Sequence, residues 1–160
     1  LPHARVTDRK LSKNDVVLID CGIEKDGYRS DLTRIFFLGK IPALLRERYH
    51  ILCEAQKEAI RHIRPGKAAK AVDQAARNYL EKHKLASYFC HSLGHGVGLE
   101  VHEAPRISRL SKAILREGMV FTVEPGIYFP HQHGLRVEDM VLVTKDGCEV
   151  LSQGIPGKAR

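Results

Sequence analysis

Asp20, Asp31, Glu124 and Glu138 are carboxylates set inside otherwise apolar stretches, "VLIDCG", "YRSDLTRIFFL", "FTVEPGIY" and "LRVEDMVLV". A carboxylate withdrawn from water is costly unless something pairs with it, and two held close together repel and raise a pKa. A cation between them removes both penalties. Between the two pairs the chain reads "HSLGHGVGLEVHE" over residues 91–103, with His91, His95 and His102 among Gly94, Gly96 and Gly98. Histidine is the commonest metal ligand and the usual proton carrier near neutral pH, so these imidazoles offer a metal site, a catalytic relay or neither. Two divalent ions would balance four carboxylates. An oxygen-rich shell with one imidazole suits Mn²⁺, Co²⁺ or Fe²⁺ better than a thiolate-type zinc centre does. Two such ions can share a hydroxide and polarise a carbonyl, which is hydrolytic chemistry. Any one of these carboxylates alone reads more simply as an edge or solvent-facing residue; it is the four at corresponding positions that carry weight.

Strands must bring them together. Residues 16–23 read as a buried strand, Asp26-Gly27 as a turn and residues 28–38 as the returning strand. With Asp26-Gly27 as a two-residue loop, Asp20 and Asp31 become diagonal neighbours on one face, roughly 7–8 Å apart at the backbone. Glu124 and Glu138 lie symmetrically about position 131, inside the loop between Pro130 and Gly134. They therefore face each other across a second hairpin, with strands over 119–128 and 135–144 and a short strand over 148–151. His91 and His95 are four apart, a zinc-pair spacing on a helix, but the glycines oppose a helix, and position 106 is Arg rather than the second His of H-E-x-x-H. An extended segment is expected, with glycines letting backbone approach backbone. One histidine can then ligate while the others face substrate.

Between the hairpins, Leu44, Tyr49, Leu52, Ala55, Ala59 and Ile63 recur near helical spacing. They predict a helix over 43–63, begun by Pro42 in a first-turn position and stopped by Pro65-Gly66. A second helix over 68–84 has Val72, Ala75, Ala76 and Leu80 as its apolar side; residues 110–116 read as helix-like or irregular, and the tail from 152 to 160 as loose. Hairpin, helices and hairpin without a regular βαβ alternation argue for an α+β fold with an antiparallel sheet.

Composition excludes several classes. The 160 residues suit one domain, and no apolar run approaches the roughly 20 residues of a membrane helix. No basic stretch followed by an apolar one opens the chain. The formal charge of +7 is spread along the sequence, and its densest patch, residues 61–70, straddles the expected helix end, where cations suit the dipole. Neither nucleic acid nor membrane is expected as a partner. Cys21, Cys53, Cys90 and Cys148 form no C-x-x-C pair; they read as free thiols in a reducing, cytoplasmic compartment, each most simply a small buried hydrophobe.

Four segments, "LIDCGIEKDGYRSDLTR", "GHGVGLEVHEAP", "GMVFTVEPGIY" and "GLRVEDMVLVT", resemble the pita-bread metallopeptidases, in their aminopeptidase P and prolidase branch. The resemblance implies a pita-bread (creatinase/aminopeptidase-like) fold and a dinuclear site with Asp20, Asp31, His95, Glu124 and Glu138 as metal ligands. Asp31 and Glu138 would bridge, and Glu124 would also take a proton from the bridging water. His3, His91, His102 and Arg136 match family residues around substrate, while Thr33-Arg34 is a family signature assigned mainly to structure. The implied activity is that of a metal-dependent exopeptidase hydrolysing the Xaa-Pro bond of a proline-containing peptide or dipeptide. Mn²⁺ is the foremost metal, with Co²⁺, Fe²⁺ or Zn²⁺ as alternatives. Methionine aminopeptidase-like activity is a second reading, although that branch typically has Ser-Lys in place of Thr33-Arg34 and lacks the glycine found here as Gly126. A non-catalytic peptide- or protein-binding module on the same fold is a third; such relatives usually lose ligands, and none is lost here. Family catalytic domains usually begin well before the "PHA" motif, which here starts at residue 2. The expectation is a single catalytic domain over residues 1–160, the C-terminal portion of a longer, homo-oligomeric parent, lacking the N-terminal part of the fold.

Overall fold

A computed structural model describes residues 2–3 and 7–155. Its first hairpin is broken. Strand β1 (Val16–Cys21) leads to β2 (Glu24–Lys25), then β3 (Tyr28–Arg29) and β4 (Leu32–Phe37); β1 pairs antiparallel with β4 and β2 with β3. Asp26 and Gly27 turn the chain with φ of 54° and 83°, the two positive values that a type I′ loop requires. Asp20 stands opposite Thr33 and Cys21 opposite Leu32, so Asp31 falls on the diagonal that the turn dictates. The expected single return strand is parted at Ser30 and Asp31, where Ser30 N donates to the Ile23 carbonyl (2.9 Å) and Ile23 N to Ser30 Oγ (3.1 Å). Nor is the first strand buried: Val16 to Leu18 are half-buried, and Ile19, Asp20 and Cys21 are exposed. As one of only two strands in its sheet, β1 does not convert apolar composition into burial.

Helix α1 (Ala43–Arg61) follows Pro42, which is the residue before the first turn rather than within it. Its buried side is Leu45, Tyr49, Leu52, Ala55, Gln56 and Ala59. Leu44, expected there, is exposed, and Leu45 takes its place. Gly66, with φ of 81°, ends the connection and donates to the Leu115 carbonyl (2.9 Å). Helix α2 (Ala69–Lys82) buries Val72, Ala75, Ala76 and Leu80 as its spacing predicts, together with Asp73 and Arg77. Residues 110–116 form no helix; Ile114 makes an isolated bridge to Ala68.

The remaining strands are β5 (Gly94–Gly96), β6 (Glu103–Ile107), β7 (Val120–Val123), β8 (Gly126–Phe129), β9 (His133–Arg136), β10 (Asp139–Val143) and β11 (Cys148–Val150). The long strands expected over 119–128 and 135–144 are each broken in two, at Glu124-Pro125 and at Val137-Glu138. Pro125 has no N–H with which to continue a ladder. On one side of the breaks, β7 and β10 join a five-stranded sheet in the order β11–β10–β7–β5–β6; on the other, β8 and β9 pair alone. Register crosses the break unchanged, with Val123 opposite Asp139 and Gly126 opposite Arg136, so Glu124 and Glu138 face each other. All strand pairings among the described residues are antiparallel.

Both helices and the strands share one core that includes Leu52, Val72, Leu80, Phe121, Ile127, Leu135 and Val141, all fully buried. Each such side chain contributes about 1.5–3 kcal/mol. Of the cysteines, Cys53 and Cys148 are half-buried while Cys21 and Cys90 are exposed, so none is the buried hydrophobe expected. In the expected loose tail, Ser152 is buried and its Oγ donates to Asp139 Oδ1 (2.7 Å), and residues 156–160 lie outside the described residues. No helix among the described residues is long and apolar enough to cross a membrane.

Candidate metal centre

The two broken hairpins meet at their breaks. Glu138 N donates to the Thr33 carbonyl (3.3 Å) and Thr33 Oγ1 donates to Glu138 Oε2 (2.6 Å), a seam between residues more than one hundred positions apart. Strand β5 is wedged between β6 and β7 from the other side. It comes that close because Gly94 has no side chain: a Cβ there would lie 1.8 Å from the Thr122 carbonyl oxygen. His95 is thereby brought beside Glu124, with Nε2 3.2 Å from Glu124 Oε1 and 3.7 Å from Asp31 Oδ2.

Three overlapping groups result, Asp20–Asp31–Glu138, His95–Glu124–Glu138 and Asp31–His95–His102, each with donor atoms within 4.8 Å of one another. All five residues expected as ligands are thus assembled, and His102, expected at substrate, joins them, its ring 3.9 Å from that of His95. They border a cleft of about 850 Å³ that His3, His91, Arg106 and Arg136 also line.

The electrostatics call for a cation. Burial, then the charges of Glu124 and Asp31, push Glu138 up to about 8. Burial, then Asp20, raise Asp31. His95 Nδ1 lies 3.1 Å from the Gly96 carbonyl, so it carries the proton and directs Nε2 at the carboxylates. A lone pair facing carboxylate oxygens is repulsive unless the ring is protonated or a cation intervenes. Burial alone would lower the His95 pKa, but its hydrogen bonds to Glu124 and Gly96 and the charges of Glu124 and Asp31 outweigh it and raise the value. The donor set, mostly carboxylate with imidazole, fits hard to borderline divalent ions. Asp20 departs from the sequence expectation in one respect: its side chain is 37% exposed, and it is paired with Arg136 Nη2 at 2.5 Å.

Arg136 organises the rest. Its Nε donates to Thr33 Oγ1 (3.0 Å), and its Nη1 donates to the Tyr128 hydroxyl (3.1 Å) and the Pro2 carbonyl (2.9 Å). His91 Nδ1 donates to the Ser92 carbonyl (2.8 Å), which leaves Nε2 to accept from Tyr128 at 3.0 Å; burial holds this imidazole below its ordinary pKa, consistent with the neutral ring. Burial raises the Tyr128 hydroxyl pKa. His3 is exposed at the rim.

Three further residues belong to the site, Thr122, Tyr128 and Arg106, none of them a site candidate from the sequence alone. Thr122 Oγ1 accepts from His95 N (3.1 Å) and donates to Glu124 Oε1 (3.2 Å). Strand alternation could have found Thr122 and Tyr128, since both lie an even number of residues from Glu124. Arg106 stands opposite His95 across β5 and β6, where the register shifts after His95, and no sequence signal marks that pairing.

A model of metallopeptidase family M24 matches residues 1–145. The chain is 46% identical over 153 residues to a Xaa-Pro dipeptidase of Pyrococcus horikoshii, covering 96% of this chain and 44% of that one. Among solved structures it is similar to a prolidase from Pyrococcus furiosus, with TM-score 0.94, 45% identity and coverage of 98% and 46%. It is also similar to an X-Pro aminopeptidase from Thermotoga maritima, with TM-score 0.94, 39% identity and coverage of 98% and 44%. The chain spans less than half the length of each, and the pita-bread architecture is common to them.

Proposed function

The chain belongs to metallopeptidase family M24, and from there we propose that its site hydrolyses the peptide bond on the amino side of proline, with two divalent cations held by Asp20, Asp31, His95, Glu124 and Glu138. The observation that carries this reading is the convergence of four carboxylates and an imidazole on one cleft, where burial and mutual repulsion raise the pKa of both Glu138 and Asp31. Bound there, the cations, Mn²⁺ foremost, would supply Lewis acidity and a water ionised near neutral pH.

The chain's own residues would do the rest. Glu124, half-buried and paired with His95, takes and returns the proton of the attacking water. His102 is exposed and forms no hydrogen bond among the described residues, so it is free to donate to a carbonyl oxygen as negative charge develops there. His91 has both ring nitrogens engaged within the protein; it acts by position, as a neutral ring at the cleft wall held by Tyr128 and the Ser92 carbonyl. Arg136 fixes Asp20, Thr33 and Tyr128 at once. Proline offers no N–H at the scissile bond, so recognition cannot depend on one.

Metal-stripped protein titrated with Mn²⁺ by calorimetry, with each point assayed on Ala-Pro, Ala-Pro-Ala and Met-Ala, tests the proposal. Two equivalents bound with cleavage of the proline peptides is the expected result, and the better proline peptide names dipeptidase or aminopeptidase. Preference for Met-Ala would favour methionine aminopeptidase chemistry, and absence of tight metal binding would favour a peptide-binding module.

A further inference from the structure

Beside the reaction cleft lies a second recess of about 490 Å³, which shares His91, Ser92 and Arg106 with it. Arg77, Arg106 and Arg109 line this recess, and no acidic side chain does. The three arginines are not equivalent. Arg77 is buried and already neutralised: Nε and Nη2 donate to the two oxygens of Asp73 (2.7 and 3.2 Å), and Nη1 and Nη2 donate to the carbonyls of Phe89 (3.0 Å) and His91 (2.5 Å). It forms a fixed wall. Arg106 donates from Nε to Ser92 Oγ (2.7 Å), which orients the guanidinium and leaves its terminal N–H groups open. Arg109 is exposed and makes no hydrogen bond or ion pair among the described residues. Ser108 and Ser111 add hydroxyl donors. Two open guanidinium groups with hydroxyls beside them suit a carboxylate, and the shared border at His91 and Arg106 sets the recess next to the reaction cleft.

We propose that this recess receives the carboxylate of a peptide that continues past proline, so that an Xaa-Pro-Yaa substrate is favoured when its third residue brings a negative charge. The charge can come from the chain terminus or from an acidic side chain. The proposal rests on the Xaa-Pro reading above. The Mn²⁺-loaded protein, assayed at low salt on Ala-Pro-Ala-amide, Ala-Pro-Ala and Ala-Pro-Asp-amide, separates the possibilities. We expect kcat/KM for at least one charged peptide to exceed that of the neutral amide about fivefold, the upper range for an exposed ion pair. A gain for Ala-Pro-Ala alone identifies the terminus, and a gain for Ala-Pro-Asp-amide alone identifies the side chain. Arg109→Ala should reduce the preference to within about twofold without slowing the neutral amide, Arg109→Lys should keep it, and added salt should erode it. Equal rates on all three peptides, or an equal loss on all three in Arg109→Ala, would overturn the proposal while leaving Xaa-Pro cleavage standing. Cleavage of Ala-Pro but of none of the three peptides would also overturn the proposal while leaving Xaa-Pro cleavage standing; if Ala-Pro stays intact as well, the Xaa-Pro reading fails instead. Calorimetry of Pro-Ala and Pro-Ala-amide on the metal-free protein then decides the recess alone: tighter binding of the free acid, lost in Arg109→Ala, supports it, and equal binding overturns it.

Discussion

Thr33 uses its one hydroxyl twice, donating to Glu138 and accepting from Arg136. Thr33→Val keeps the shape and removes both bonds. Groups that orient a ligand without touching the metal typically matter 10–100-fold in affinity; Mn²⁺ binding measured by calorimetry should therefore weaken about tenfold, while secondary structure by circular dichroism stays unchanged. Gly126 marks a different requirement. A Cβ there would lie 2.4 Å from the Tyr128 hydroxyl oxygen and 2.8 Å from His91 Nε2, so Gly126→Ala drives the two groups apart. The expected outcome is a fall in kcat of about tenfold or more, in the range of one lost proton-transfer or donor group, with Mn²⁺ affinity retained. A parallel loss of metal binding would show that the disturbance spreads beyond His91 and Tyr128.

Strand β5 is only three residues long, yet it holds the position between β6 and β7. Gly94→Ala would place a methyl group against the Thr122 carbonyl, and backbone cannot swing aside as a side chain does. Overpacking of this kind costs about 1–3 kcal/mol or more, so the urea midpoint should drop by that equivalent. A second element-level device sits at the entrance to β9. His133 Nε2 lies 3.1 Å from Arg48 Nη1, and both pack on Phe129, the guanidinium 3.8 Å from the ring centroid. Burial, and then the Arg48 charge, lower the His133 pKa. Because the folded value lies below the unfolded one, the neutral ring's contribution is present above about pH 6.5 and is lost as pH falls through the folded value. Urea midpoints should fall on acidification through that window, and less so in His133→Gln.

Across the whole molecule, the ligand set joins two hairpins already tied by the Thr33–Glu138 seam and by the buried Arg34–Asp139 ion pair, so metal and fold should be linked. Mn²⁺ at a hundredfold excess over Kd should stabilise the protein by about 2.7 kcal/mol, and a chelator should lower the melting temperature correspondingly. Much of this arrangement was legible in the residues. Asp26-Gly27 and the symmetric loop about residue 131 set both registers, and register alone brings Asp20 near Asp31 and Glu124 opposite Glu138. The apolar spacing of α2 was legible for the same reason, since local geometry decides it. What escaped depends on partners distant in sequence. The breaks at Ser30-Asp31, Glu124-Pro125 and Val137-Glu138 occur where strands change neighbours, and the exposure of Asp20 follows from the two-strand sheet that carries it. Arg106 opposite His95 borders a register shift inside a glycine-rich segment.

The Thr33–Glu138 seam also bears on how such a sequence can change over generations. Thr33, Arg136 and Glu138 interlock through a single hydroxyl, so substitution of Thr33 takes a hydrogen bond from both others, and drift at this point must proceed by paired or compensated steps. The hairpin tips at Asp26-Gly27 and around His131 touch none of these groups and can vary independently. In a broad collection of descendants the seam should therefore vary as a unit while the tips vary freely, an inheritance pattern written by one threonine oxygen.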